Sequence, residues 1–189
     1  MSRTIGFALC GSFCTLTRTL AVLERMVQAG WDITPIVSEQ VAGEDTRFGK
    51  AADFLDQIEG ICGKKALRTL QDVEPIGPKG WFDALVIAPC TGTTLARLAC
   101  GMSDTPQTLA AKSQLRVERP VVLAVSTNDA LSGSAENIGK LLNRKHYYFV
   151  PMRQDAPQTK PRSMVSVLEN IPETVEAAME GKQIQPILL

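Results

Sequence analysis

Five short apolar runs recur along the chain: TIGFAL at 4–9, DITPIV at 32–37, DALVIA at 83–88, PVVLAV at 120–125 and YYFV at 147–150. They are nearly continuous rather than alternating, and most are rich in Val, Ile or aromatic residues. Strands buried on both faces of a parallel sheet have this pattern. Between the runs the period changes. In 15–30, Leu16, Leu20, Leu23, Met26 and Val27 fall three and four positions apart and share one helical face. Thr15 or Thr17 is placed to cap this helix, and Gly30 to end it. Helical periodicity also runs through 46–63, with Phe48, Ala51, Phe54, Leu55 and Ile58 on one face. A third helical region covers 92–101 and 105–118, a fourth 133–145. The last, 172–182, carries Pro172 in its first turn.

Strands alternating with helices predict an α/β fold, a flavodoxin-like or Rossmann-like three-layer sandwich around a mostly parallel sheet. The 189 residues suit a single domain spanning 1–189, with no repeat or linker to divide it. One segment stands apart. VPMRQDAPQTKPRSM at 150–164 contains three prolines and little periodicity, and is expected to be a long loop that wraps a site or a partner protein.

Composition narrows the function. Twenty basic and twenty acidic side chains give zero formal net charge, so no basic surplus points to nucleic acid or an anionic membrane. No apolar run approaches the roughly 20 residues a membrane span needs. The N-terminal apolar run reads as a first strand rather than a signal peptide, and a cytoplasmic protein is expected. Five cysteines, an odd number without a C-x-x-C pair, and a single histidine, His146, disfavour a disulfide framework or a metal site. Most of the cysteines are expected to pack as small apolar residues, and His146 to sit at a strand edge or an interface.

Ligands of open α/β sheets bind beyond the carboxyl ends of the strands, and four such ends carry polar chemistry. After the first run, CGSFCT supplies Gly11 for a tight turn, the hydroxyls of Ser12 and Thr15, and helix-opening amides from Phe13 onward. Together these make a phosphate cradle, although a bare turn explains the stretch equally well. Ser38 follows the second run. Pro89 ends the third, and Thr91, Gly92, Thr93 and Thr94 then offer hydroxyls and amides to a phosphate or a polar ring edge. Ser126, Thr127 and Asn128 follow the fourth, Asn128 offering both a donor and an acceptor. Beyond them Asp129 shapes a turn, and Ser134 or Asn137 caps the next helix. No Walker loop and no G-x-G-x-x-G occurs. Glycine-hydroxyl strand ends without a Walker lysine suit a mononucleotide such as FMN better than ATP.

These stretches, ALCGSFCT, IVSEQV, IAPCTGTTLARLACGMSDTP and AVSTNDALS, resemble the flavoprotein superfamily that includes the flavin-dependent cysteine decarboxylases. The resemblance implies that the Gly11-Ser12 turn binds FMN phosphate and that PCTGTT, Pro89 to Thr94, occupies the position of a P-A-S-A-N-T-like flavin and substrate motif. A more specific resemblance runs through the whole chain, in DTRFG (45–49), NIGKLLNRKHYYFVP, RQDAPQTKPRSMV and GKQIQP. It is to the family of dipicolinate synthase B subunits. This implies a homo-oligomeric component of an oxidoreductase that works in sporulation. Its partner, the A subunit of dipicolinate synthase, brings NAD(P), and the pair oxidises dihydrodipicolinate to dipicolinate. Thr93 stands where the decarboxylases have an asparagine, and His146 is a poor match to their catalytic histidine. A non-catalytic scaffold with a relic crevice, and a decarboxylase of another acid, therefore stay open. A dicarboxylate needs cationic clamps; Arg47, Lys160 and Arg162 are the candidates, with Arg47 preferred. Asp45, Asp104 and Asp129 offer a base by position only.

Overall fold

In the computed structural model, which describes residues 3–189, seven strands form one sheet. They are β1 (Thr4–Leu9), β2 (Asp32–Val37), β3 (Ala84–Cys90), β4 (Val121–Thr127), β5 (Tyr147–Phe149), β6 (Met152–Arg153) and β7 (Met164–Ser166). The helices are α1 (Phe13–Gln28), α2 (Glu39–Gly43), α3 (Ala51–Cys62), α4 (Leu70–Val73), α5 (Ile76–Lys79), α6 (Gly92–Ala99), α7 (Pro106–Arg116), α8 (Ala135–Leu142) and α9 (Ile171–Met179). The strand order is β2-β1-β3-β4-β7-β6, and β5 also pairs with β4. Pairs among β1 to β5 are parallel, whereas β4–β7 and β6–β7 are antiparallel. This is the expected flavodoxin-like, Rossmann-like architecture.

The period of two along each strand explains the layers. Ile5, Phe7 and Leu9 of β1 face a core completed by Leu16, Leu20 and Leu23 of α1, Ile58 of α3 and Val175 of α9. Ala8, Leu85, Ile87 and Leu123 point the other way, onto Leu95 and Leu98 of α6, Ala110 of α7 and Leu141 of α8. Both sheet faces are therefore buried, which is why the strand sequences do not alternate with polar residues.

Several boundaries differ from expectation. Neither Thr15 nor Thr17 caps α1; Ser12 stands at its N-cap and the helix opens at Phe13. The helix expected from residue 46 begins at Ala51. A tight turn, bridged between Thr46 and Gly49, replaces its first residues, and Phe48 is exposed. Gly49 adopts φ 153°, which a helix does not admit, and Asp45 accepts the Ala51 amide at 2.9 Å. Pro89 does not end β3; the strand runs on to Cys90 across an irregularity in its pairing with β4. Within the segment 150–164, the two-residue strand β6 pairs with β7 at the far end. Residues 154–163 form the connection of that hairpin.

Candidate functional site

A crevice of about 820 Å³ opens at the carboxyl ends of the parallel strands, a size suited to a cofactor. It is built from the polar strand ends identified in the sequence: Gly11 and Ser12 after β1, Ser38 after β2, Thr91 to Thr94 after β3, and Ser126, Thr127 and Asn128 at the end of β4. Two other candidates do not line it. Phe13 packs against Phe54 of α3, with ring centroids 6.1 Å apart, and Pro89 is buried inside β3.

The first wall is a hydroxyl cluster. Ser12 Oγ lies 2.9 Å from Ser126 Oγ, and Thr15 Oγ1 reaches both, at 3.0 and 3.2 Å. Beside it, the amides of Phe13 and Cys14 open a 16-residue helix and have no carbonyl to bond within it. Ser38 is buried and accepts the Val41 amide at 3.3 Å, capping α2. The second wall is a helix start. Thr91 caps α6, accepting from the Thr94 amide at 3.3 Å. Thr94 Oγ1 in turn donates to Cys10 Sγ at 3.5 Å, joining the β1 end to the β3 end.

Asp129 organises the third wall. Its Oδ1 accepts from Thr127 Oγ1 at 2.5 Å and from Ser134 Oγ at 2.8 Å. The Thr127 bond, with help from Ser134 and against burial, holds this carboxyl below the usual aspartate range. The expected turn at Asp129 is present, but Ser134 donates its hydroxyl to Asp129 and its oxygen accepts from no α8 amide. This cluster also explains Gly92. A Cβ there would meet Ser134 Oγ and Thr127 Oγ1 at 2.8 Å and Asp129 Oδ1 at 3.1 Å.

Burial pushes the Cys10 thiol up to about 11, opposed by smaller contributions from Thr94 and Thr91. Burial, with the nearby Cys10, raises Cys90 well above the ordinary thiol range. Neither is an ionised nucleophile. Cys14 and Cys100 are exposed, not packed as expected for most of the cysteines.

Gln40, Arg97, Gln107 and Asn137 also line the crevice and are not among the sequence candidates for the site. They stand on helices that tertiary packing brings to the crevice. Arg97 is tied to Asp104 at 3.4 Å. Gln107 is 4% exposed, and its Oε1 is buried without a hydrogen-bond partner.

The candidate clamps separate. Arg47 stacks on Phe48 at 4.8 Å and is exposed; it lines neither the crevice nor the smaller cavities beside it. Arg162 is exposed, and only its carbonyl is engaged, by the Leu131 amide. Lys160 lines a second cavity of about 240 Å³ that shares Ser12, Ser126, Thr127 and Asn128 with the crevice. His146 precedes β5 with φ 68°, half-buried, and lines neither the crevice nor the second cavity.

Residues 1–181 match the family described as Flavoprotein. The chain belongs to the flavoprotein family. It is 41% identical over 187 residues, 99% of this chain and 94% of the other, to the dipicolinate synthase B subunit of Bacillus subtilis (strain 168). Among solved structures it resembles the dipicolinate synthase B subunit from Bacillus halodurans, at 41% identity and a TM-score of 0.91, over 100% of this chain and 98% of the other. An FMN-dependent cysteine decarboxylase shares the fold, with a TM-score of 0.69 at 19% identity over 96% of this chain and 97% of the other.

As a flavoprotein-family crevice, the cavity has features that fit a mononucleotide. The helix-opening amides and the Ser12–Thr15–Ser126 hydroxyls suit a phosphate. The orphaned Gln107 carbonyl oxygen suits an N–H or O–H donor.

Proposed function

We propose that this chain is the single-domain, flavin-binding B subunit of a dipicolinate synthase, a homo-oligomeric component working in the cytoplasm during sporulation. With an A subunit that carries NAD(P), it oxidises dihydrodipicolinate to dipicolinate. The observation that carries this reading is 41% identity along nearly the whole chain to a protein of that name. The crevice chemistry supports the cofactor. Gly11, Ser12, Thr15, Ser126 and the start of α1 hold the FMN phosphate, with Ser38 beside them. Thr91, Thr93, Thr94, Asn128 and Gln107 address the polar edges of the ribityl chain and ring.

The reaction removes two electrons and two protons from a dihydropyridine dicarboxylate, and the aromatic ring is the product. Bound flavin supplies a two-electron acceptor for such a step. The protein's own task is to hold the cofactor and the ring against each other and to neutralise two carboxylates. Buried thiols at Cys10 and Cys90 stay protonated near neutral pH and take no part as nucleophiles.

The test has two measurements. The purified chain, incubated with FMN and desalted, should retain the cofactor with visible flavin bands. Dipicolinate formation should require both proteins of the pair. The A subunit working at the full rate without this chain would overturn the reading. One observation favours a second reading, a protein that only positions its partner: the face of Gly92 is filled by the chain's own Thr127, Asp129 and Ser134. An active complex that carries no flavin and tolerates Gly11→Asp decides for that alternative.

A further inference from the structure

Beside the crevice, the β6–β7 hairpin faces the first turns of α1, and a trough runs between them. Its part nearest the crevice is the 240 Å³ cavity, with Arg18 of α1 and Asp155 and Lys160 of the hairpin on its far wall. A further cavity of about 330 Å³ continues it and is also lined by Arg18 and Asp155, with Arg153. Three cations thus meet one carboxylate along the trough.

The existing partners of these cations are weak. Arg18 reaches Glu169 at 3.5 Å, Lys160 reaches Asp155 at 3.6 Å, and both cationic side chains are half-exposed. Ion pairs of that length and exposure contribute little. Arg153 has no ion pair among the described residues. Side chains so weakly held exchange readily to a ligand.

We infer that this trough is a second anion site that takes a single-ring dicarboxylate, clamped by Arg18, Arg153 and Lys160. Arg18 lines both adjoining cavities, Lys160 lines the first and Arg153 the second. This spacing suits two carboxylates on one ring better than one phosphate. Two guanidinium groups also match carboxylates in the bidentate geometry that lysine lacks. The wall of Ser12, Ser126, Thr127 and Asn128, common to trough and crevice, places the ring beside the phosphate end of the cofactor position. The inference rests on the dipicolinate reading for its choice of ligand, and it replaces Arg47 and Arg162 by Arg18 and Arg153.

The experiment is calorimetric titration of the full-length chain with pyridine-2,6-dicarboxylate and, separately, with FMN. The variants are Arg18→Gln, Arg153→Gln and Lys160→Gln, with melting temperatures confirming their fold. Each should weaken dicarboxylate binding by ~10- to 100-fold, the range for one charge-assisted contact, and leave FMN affinity unchanged. Arg153→Lys should recover part of the loss. Three outcomes overturn the site: no dicarboxylate binding to the unaltered chain with FMN saturating, full affinity in all three variants, or FMN affinity falling in parallel, which would make the cations a phosphate seat. A chain that binds no FMN yet keeps the cation-dependent dicarboxylate binding retains the trough and refutes the cofactor reading alone.

Discussion

The junctions after β1 and after β3 look alike in sequence, CGSFCT and CTGTT, yet their glycines answer different constraints. At Gly11 a Cβ would meet Gln40 Cβ at 3.2 Å and Phe13 Cε2 at 3.4 Å, contacts that α2 and the Phe13 ring relieve by giving a few tenths of an ångström. Its backbone also needs no positive φ. At Gly92 a Cβ would strike three side chains of the Asp129 cluster, and these are fixed by hydrogen bonds to one another. The first glycine lets the turn after β1 lie close against α2. The second lets one part of the protein close against another. The same motif grammar therefore encodes a contact that can give in one place and a fixed one in the other.

The largest effect should come from Gly92→Ala. Displacing a hydrogen-bonded cluster resembles overpacking, which costs about 1–3 kcal/mol; denaturant unfolding measures it, and retained stability would show the cluster to be pliable. Next is Gln107→Leu, with the opposite sign. Removing a buried carbonyl that has no partner should stabilise the ligand-free chain by about 1 kcal/mol while weakening FMN binding in the same titration series. A change in stability without a change in binding would detach Gln107 from the ligand.

The third prediction concerns the bridge between the two junctions, Thr94 to Cys10. Cys10 ionises only near 11 in the folded chain, against an ordinary 9.0. Its contribution to stability is therefore complete below pH 9 and declines as pH rises toward 11. At pH 9.5 the loss is below about 1 kcal/mol. Cys10→Ala should remove that part of the alkaline slope, and iodoacetamide at pH 8 should label Cys14 and Cys100 while sparing Cys10 and Cys90. The smallest effect belongs to Gly11→Ala. Strain against Gln40 and the reduced freedom of the unfolded chain nearly offset each other, leaving a few tenths of a kcal/mol. A cost as large as that at Gly92 would erase the contrast between the two junctions.

The parallel core was legible in the sequence because burial on both faces writes continuous apolar runs; β1 and β2 begin and end where the runs do. β6 was not, since two residues carry no period. Ser12, Ser38, Thr91 to Thr94 and Ser126 to Asn128 were found because strand ends of a parallel sheet share one edge. Gln40, Arg97 and Gln107 were missed because nothing local distinguishes a helical side chain turned toward a crevice from one in solvent. Arg47 was misplaced for the converse reason. It follows β2 in sequence, but α2 intervenes and carries the chain away from the strand end.

One feature of the sheet bears on how such a protein can change. β4 divides its edge: residues 121–123 pair in parallel with β5, and residues 126 and 127 pair antiparallel with β7. The hairpin is thus grafted onto the last two residues of β4 and leaves the parallel register untouched. Insertions or deletions between Ala156 and Lys160 would reshape one side of the trough without re-registering any parallel strand. The fork makes the hairpin an exchangeable cassette, so that specificity can be rewritten on a scaffold whose core and crevice stay constant.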